Sequence, residues 1–290
     1  MVTRRYLAAF LLLLPAVGLR LFATIYPFFQ TFYYGFTNFN PMFPPLEFTG
    51  LANFRLMTHD ISITSGVMFT VQFVLLSTLL ELVFGIVVAY ILNSSFVGRA
   101  LVRAANLIPW AVPMVVAALG FRWMFDQDYG IVSDLFKRTI GLNIPWLIVP
   151  WGAKAAIIMT NVWKSTPFVS LVFLAALQGV PVELYEAARV DGANPFQIVR
   201  RITLPLILPQ ITTIGLFMLV WQLAHFDLIY AMTGGGPGFA TQVLAYAIYN
   251  AAFGGLNFGY ASAISIVLFM LVFVMGGLGL LLYRRVEVVY

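Results

Sequence analysis

The sequence predicts an all-α membrane protein with about six transmembrane helices and both termini on the cytoplasmic side. Three observations carry that reading. Of 290 residues, 61% are hydrophobic and only 9% charged, so too little polar surface exists to cover a water-soluble globule. Apolar runs of roughly 18 residues or more, long enough to cross a bilayer, recur along the whole chain. The arginines concentrate in every second connecting segment, which is the asymmetry expected of cytoplasmic loops. The absence of cysteine excludes disulfides, thiol catalysis and thiolate-bound metals. The net charge of +5 comes with no basic cluster long enough to track phosphates, so no nucleic-acid partner is indicated.

The spans are expected at about 6–31, 66–93, 104–125, 153–178, 205–226 and 260–283. A cytoplasmic N-terminus places Arg4, Arg5, Arg99, Arg103, Arg189, Arg200, Arg201, Arg284 and Arg285 inside. Arg55, Lys137 and Arg138 then fall outside, with Lys154 at the boundary. The first span begins like a secretory leader, RRYLAAFLLLLPAVG. Apolar sequence continues past Arg20 to about Tyr34, too long for a leader's apolar core, so an uncleaved span is expected.

The segment between spans one and two, FTNFNPMFPPLEFTGLANF, mixes aromatics with prolines and suits a packed, irregular cap. TGGGPG, Thr233–Gly238, follows span five; its glycines fit either a tight turn or a mobile finger facing a partner. Span four carries Asn161, Lys164, Ser165 and Phe168 at i, i+3, i+4 and i+7, on one helical face. Span five repeats the spacing with Met218, Trp221, Gln222 and His225. Polar groups inside spans usually face the protein interior or a wet cavity. Stripes of hydrogen-bonding and aromatic side chains suit a sugar, whose hydroxyls need partners and whose apolar ring face stacks on aromatics. The alternative is that these polar groups hold helices together. Lys164 is expected to be neutralised by Asp227, Glu81 or a companion subunit's carboxylate. Arg20 either pairs or reaches outward to the interface. One His225–Asp227 pair is thin support for a proton relay, and His59 sits in an external loop.

The segment Glu183–Pro209, ELYEAARVDGANPFQIVRRITLPLILP, is unusual for so apolar a chain, with six charged residues between Glu183 and Arg201. Pro181 suits the first turn of a helix, and ELYEAAR consists of good helix formers. Asp191-Gly192 supplies the stop, Asn194 an N-cap and Pro195 the next first turn, with TLPLILP expected to interrupt the second helix. Val182, Tyr185 and Ala188 share one face of the first helix, while Glu183, Glu186 and Arg189 share another. Physical chemistry alone leaves open an interfacial helix that clips two spans together.

EAARVDGANPFQIVRRITLPLILP resembles the EAA loop in membrane subunits of binding-protein-dependent ABC importers, with Glu-Ala-Ala, Asp-Gly-Ala and Ile-x-Leu-Pro at the family spacing. NVWKSTPFVSLVFLAALQGVPVELY is similar to the carbohydrate-uptake branch. GLANF and TGGGPG are most similar to the permease equivalent to the larger membrane subunit of the maltose transporter, without its large external domain. The trehalose importer permeases are similar in the same way. The resemblance implies a single type I permease domain over 1–290, with a cytoplasmic coupling helix in the loop 181–204. It implies that Glu183, Glu186, Ala187, Ala188, Asp191, Gly192 and Arg201 serve coupling. Glu186 would pair with a basic residue of the ATPase, and Ala187 and Ala188 would permit close approach. The implied partners are a second, homologous permease in a heterodimer, two copies of an ATPase, and an external solute-binding protein docking on loops 32–65 and 227–259. ATP and Mg²⁺ would be bound by the ATPase, with no cofactor on this chain.

The resemblance also implies a carbohydrate path lined by spans four and five. Trp221, Gln222 and His225 depart from the asparagine-rich maltose pattern, which leaves the sugar and the share of the companion subunit open. A disaccharide or short oligosaccharide fits better than glycerol-3-phosphate, because no arginine cluster awaits a phosphate. The lack of GxxxxGK[ST] places ATP hydrolysis on another chain. An ion-driven secondary transporter would need paired carboxylates and an internal repeat, and would leave the Glu183–Pro209 unit without a role. An intramembrane enzyme lacks any HExxH, GxSxG or cysteine constellation.

Overall fold

The computed structural model describes residues 2–287. The side chains of Arg4, Arg5, Arg284 and Arg285, on which part of the charge asymmetry rests, lie outside the described residues. The helices are α1 (Val2–Tyr34), α2 (Ala52–His59), α3 (Ile61–Asn93), α4 (Arg99–Asn106), α5 (Ile108–Ala111), α6 (Met114–Met124) and α7 (Ile131–Ile140). They continue with α8 (Pro150–Gln178), α9 (Val182–Val190), α10 (Pro195–Ile198), α11 (Leu204–Leu223), α12 (Asp227–Met232), α13 (Leu244–Tyr249) and α14 (Phe258–Glu287). Wider π turns occupy Val199–Thr203 and Asn250–Gly254. Among the described residues the only β pairing is an isolated antiparallel bridge, Thr37 with Phe48.

By length and composition, five segments among the described residues can cross a bilayer: Phe10–Tyr34, Ile61–Asn93, Pro150–Gln178, Pro195–Leu223 and Phe258–Leu281. The span expected over 104–125 is bent. Arg99–Ala111 and Met114–Met124 meet at 91°, and make a sixth crossing only if the bent pair counts as one. The cause is Pro113, which lacks the N–H that would bond back one turn. It also drives Val112 out of the helical region, to φ −67°, ψ 132°. The expected interruption at TLPLILP is absent. α10 runs through the π turn into α11, where the Leu204 amide donates to Val199 five residues back, so the widened turn accommodates Pro205 without a break.

The chain divides into two compact units, Met1–Asp60 with Ala247–Phe269, and Ile61–Tyr246 with Met270–Tyr290. In the first, Phe28 and Phe32 of α1 pack edge-on against Phe269, with ring centroids 5.4 and 5.7 Å away. The GLANF motif ties down the segment after α1. Asn53 is buried, and its amide donates to the carbonyls of Gly35 and Thr37 at 3.0 and 2.8 Å. Those carbonyls follow the end of a helix and need donors. The Tyr260 hydroxyl donates to Asp60 at 2.8 Å. Arg20 on α1 and His59 on α2 are both exposed.

The second unit is built on α3, α8 and α11. Its core contains Ala89 and Leu92 of α3, Val169, Phe173, Leu174 and Leu177 of α8, and Ile207, Ile214 and Met218 of α11. Gly85 permits a close approach of α3 to α8: a Cβ there would lie 2.6 Å from Val169 Cγ1. TGGGPG is folded into a packed turn. Gly235 has φ +81°, and a Cβ there would sit 3.1 Å from the Tyr246 ring. Across the turn, the Thr233 and Thr241 hydroxyls lie 2.8 Å apart, and the Thr241 amide donates to Gly235.

Candidate functional site: an exposed helical hairpin and an aromatic slot

The hairpin α9–α10 is rigid for local reasons. At the end of α9, Ala193 N–H donates to Ala188 and Gly192 N–H to Arg189, at 2.9 and 3.1 Å, with Gly192 at φ +78°. This is a Schellman closure, and it requires the left-handed residue that glycine supplies. Asn194 then caps α10: its side chain accepts from the Gln197 amide at 2.9 Å, while the Gln197 side chain accepts from the Asn194 amide at 2.8 Å. No residue of α9 is buried. Glu183, Glu186 and Ala187 are exposed, as are Asp191, Gly192 and Arg201, while Ala188 is half-buried. Val190 is 88% exposed and Phe196 70%, which places apolar side chains among the charges on an ordered surface. The Tyr185 hydroxyl accepts from Thr203 at 3.3 Å and holds α9 to the start of α11.

A slot about 150 Å³ in volume is lined by Trp110, Ser165, Phe168, Phe217, Met218 and Trp221. Half of the two expected stripes therefore converge: Ser165 and Phe168 from α8, Met218 and Trp221 from α11. The rings form a chain, with Trp110 stacked on Phe168 at 5.9 Å, Phe168 tilted against Phe217 at 6.0 Å, and Phe217 stacked on Trp221 at 5.5 Å. Nearer the π turn, Phe168 and Phe217 also border a second hollow of about 410 Å³ with Gln210, Thr213 and Tyr283. Trp110 and Phe217 are the members that sequence reasoning missed. Phe217 precedes Met218 and Trp221 in an all-apolar stretch where every face looks alike. Trp110 enters only because the chain bends beyond it.

The other stripe residues lie elsewhere. Asn161 and Gln222 are buried to within 1% of completely and turn toward Glu81 on α3, itself fully buried. Asn161 Nδ2 and Gln222 Nε2 both donate to Glu81 Oε1, at 3.0 and 2.6 Å, and Asn161 Nδ2 donates to Gln222 Oε1 at 3.0 Å. Lys164 forms none of its expected carboxylate pairs within this chain. Its ammonium donates instead to the Trp110 carbonyl at 2.9 Å. That carbonyl lies at the end of α5, where the break at Pro113 leaves it without a helical donor. His225 Nδ1 lies 3.7 Å from Asp227 Oδ1, and its ring packs edge-on to Phe73 at 6.0 Å. The adjacent imidazole holds the Asp227 carboxyl below the usual carboxylate range.

Residues 81–288 match the family described as binding-protein-dependent transport system inner membrane component. The chain belongs to that family. It is a multi-pass inner-membrane transport component, and a transport subunit in kind. It is 37% identical over 266 residues to the trehalose/maltose transport system permease protein MalF of Thermococcus litoralis, covering 91% of this chain and 89% of that one. It is 38% identical over 266 residues to the sulfoquinovosyl glycerol transport system permease protein SmoG of Agrobacterium fabrum, covering 91% and 86%. The fold matches that of a bacterial alginate ABC transporter solved with its alginate pentasaccharide-bound periplasmic protein. The TM-score is 0.83 at 24% identity, over 98% of this chain and 96% of that one.

Proposed function

We propose that this chain is a permease subunit of an ATP-driven importer. In this reading a disaccharide or short oligosaccharide, delivered by an external solute-binding protein, passes along the aromatic slot. The observation that carries the proposal is the placement of α9 between the two helices that form the slot. α8 runs into it through Gly179–Pro181, and α10 leads without a break into α11. An uninterrupted helix from Phe196 to Phe217 covers about 30 Å at 1.5 Å per residue, so displacement of the hairpin is transmitted to the slot wall.

The hairpin's exposed carboxylates and apolar side chains suit a cleft on an ATPase, with Glu186 pairing to a basic residue there. Two ATPases and a homologous permease complete the assembly in this reading, with the hairpin and both termini in the cytoplasm. The slot supports a sugar through its chemistry: aromatic faces for a pyranose ring and the Ser165 hydroxyl for a hydroxyl partner. Relatives named for trehalose/maltose, sulfoquinovosyl glycerol and multiple sugars point the same way. One chain encloses about 150 Å³, against roughly 300–1,000 Å³ for a small-molecule pocket, so the companion permease supplies the opposite wall.

The test is ATP hydrolysis by the reconstituted complex, with its binding protein, presented with trehalose, maltose and glycerol-3-phosphate. Stimulation by a sugar is expected. Stimulation by glycerol-3-phosphate alone would discard the sugar reading while keeping the importer.

A further inference from the structure

Glu81 appears in no stripe and no family motif of the coupling loop, yet it sits at the centre of the second unit. It is fully buried on α3, and its Oε1 accepts from amides on two other helices. Its Oε2 and the Asn161 Oδ1 are buried without a partner among the described residues. Neither candidate cation reaches it: Lys164 is bound to the Trp110 carbonyl and Lys154 to Gln72. A carboxyl is an expensive choice for a site within a membrane span, and leucine would fill the space at less cost.

A carboxyl offers direction, which leucine does not. Apolar packing between helices tolerates small slides and rotations, whereas a hydrogen bond to a fixed oxygen restricts both. Asn161 stands one and two turns from Ser165 and Phe168 on the same face of α8. Gln222 stands one turn from Met218 and directly after Trp221 on α11. A helix that slips by one residue rotates by about 100°, which would remove these side chains from the slot. Ser165, which lines the slot, stands one turn from Asn161 on α8, so the cluster and the slot share one helical face.

We propose that Glu81 is a positioning residue for the slot: its Oε1 pins Asn161 of α8 and Gln222 of α11, and so sets the rotation of both slot-forming helices. Its meaning for transport rests on the slot being the solute path. Rotation of α11 would strain or break this clamp.

The chain has no cysteine, which makes thiol chemistry a clean readout. In the assembled complex in membrane vesicles, the pair Phe168→Cys and Phe217→Cys would be joined by a short bifunctional thiol reagent, since the rings they replace are 6.0 Å apart. Glu81→Leu is expected to change the cross-linking rate severalfold, and Glu81→Gln, which keeps an acceptor oxygen at the same place, to restore it. An unchanged rate in Glu81→Leu overturns the proposal, as does a Glu81→Gln that behaves like leucine. If Glu81→Leu fails to accumulate, Gln222→Met removes one limb of the clamp, and an unchanged rate there is equally decisive. A separate Ser165→Cys variant is treated with a charged methanethiosulfonate. Failure to react counts against the slot as a wet path, while a rate that still depends on Glu81 upholds the clamp.

Discussion

The hairpin α9–α10 and the Glu81 cluster use polar residues in opposite ways. The hairpin presents charges to the outside on a helix with no buried residue, while rigid caps hold that helix in shape. The cluster withdraws a carboxyl and two amides from the surface and links them across three helices by hydrogen bonds to Glu81 Oε1, leaving Glu81 Oε2 and Asn161 Oδ1 without a partner among the described residues. The caps of an exposed helix order its backbone but give its outward side chains no internal partner, so such a surface is suited to something outside the chain. A buried polar cluster restricts geometry at a cost in desolvation, so it serves position within the chain. In the proposed reading, the difference separates the part of the protein that receives force from the part that must keep its shape.

That contrast is broken most severely at Glu186. Glu186→Ala removes an outward charge with no hydrogen-bond or ion-pair partner among the described residues, so the protein should reach the membrane in normal amount. Loss of an interfacial charge partner should lower coupled transport by more than about tenfold. Co-purification with the ATPase and transport in vesicles check both halves, and normal values for both would remove the hairpin from coupling. The slot gives an intermediate effect. Trp221→Ala deletes a stacking face worth about 0.5–1.5 kcal/mol, so half-saturation for a stimulating sugar should rise by about threefold to tenfold with assembly intact. An unchanged half-saturation would place the sugar elsewhere. The smallest effect on transport is expected from Lys164→Met, which keeps the packing of the stem but leaves the Trp110 carbonyl without its donor. Because this hydrogen bond is exposed, its loss should cost no more than about 1 kcal/mol, read as a slightly lower unfolding temperature of the detergent-solubilised chain. A stability equal to that of the parent would mean that Lys164 does not hold the bend.

The helical hairpin was legible because its signals are local. Asn194-Pro195, Asp191-Gly192 and the helix formers of ELYEAAR act within a few residues, and each cap is found where that chemistry puts it. The bend at Pro113 was within reach of the same reasoning, since proline restricts the residue before it, but the apolar run masked it. The continuity of α10 with α11 was less accessible, because a π turn can absorb a proline that would otherwise stop a helix. The stripes on α8 and α11 supplied Ser165, Phe168, Met218 and Trp221 to one slot, while Asn161, Lys164, Gln222 and His225 found other partners. They did not separate residues that line a cavity from residues that face another helix, since one turn of height decides between Ser165 and Asn161.

By itself, the sequence determined which segments are apolar enough to enter a bilayer, where the polar hairpin begins and ends, and which family the chain resembles. All three depend on composition or on contacts within a few residues, which the order of amino acids specifies directly. Tertiary structure alone decided the partners of the intramembrane polar groups. Glu81 meets Asn161 and Gln222 across 80 and 141 positions, and Lys164 meets Trp110 across 54. Such pairings exist only once helices have packed, because in a medium without water each buried polar group must take whichever partner the crossing of the helices brings to it.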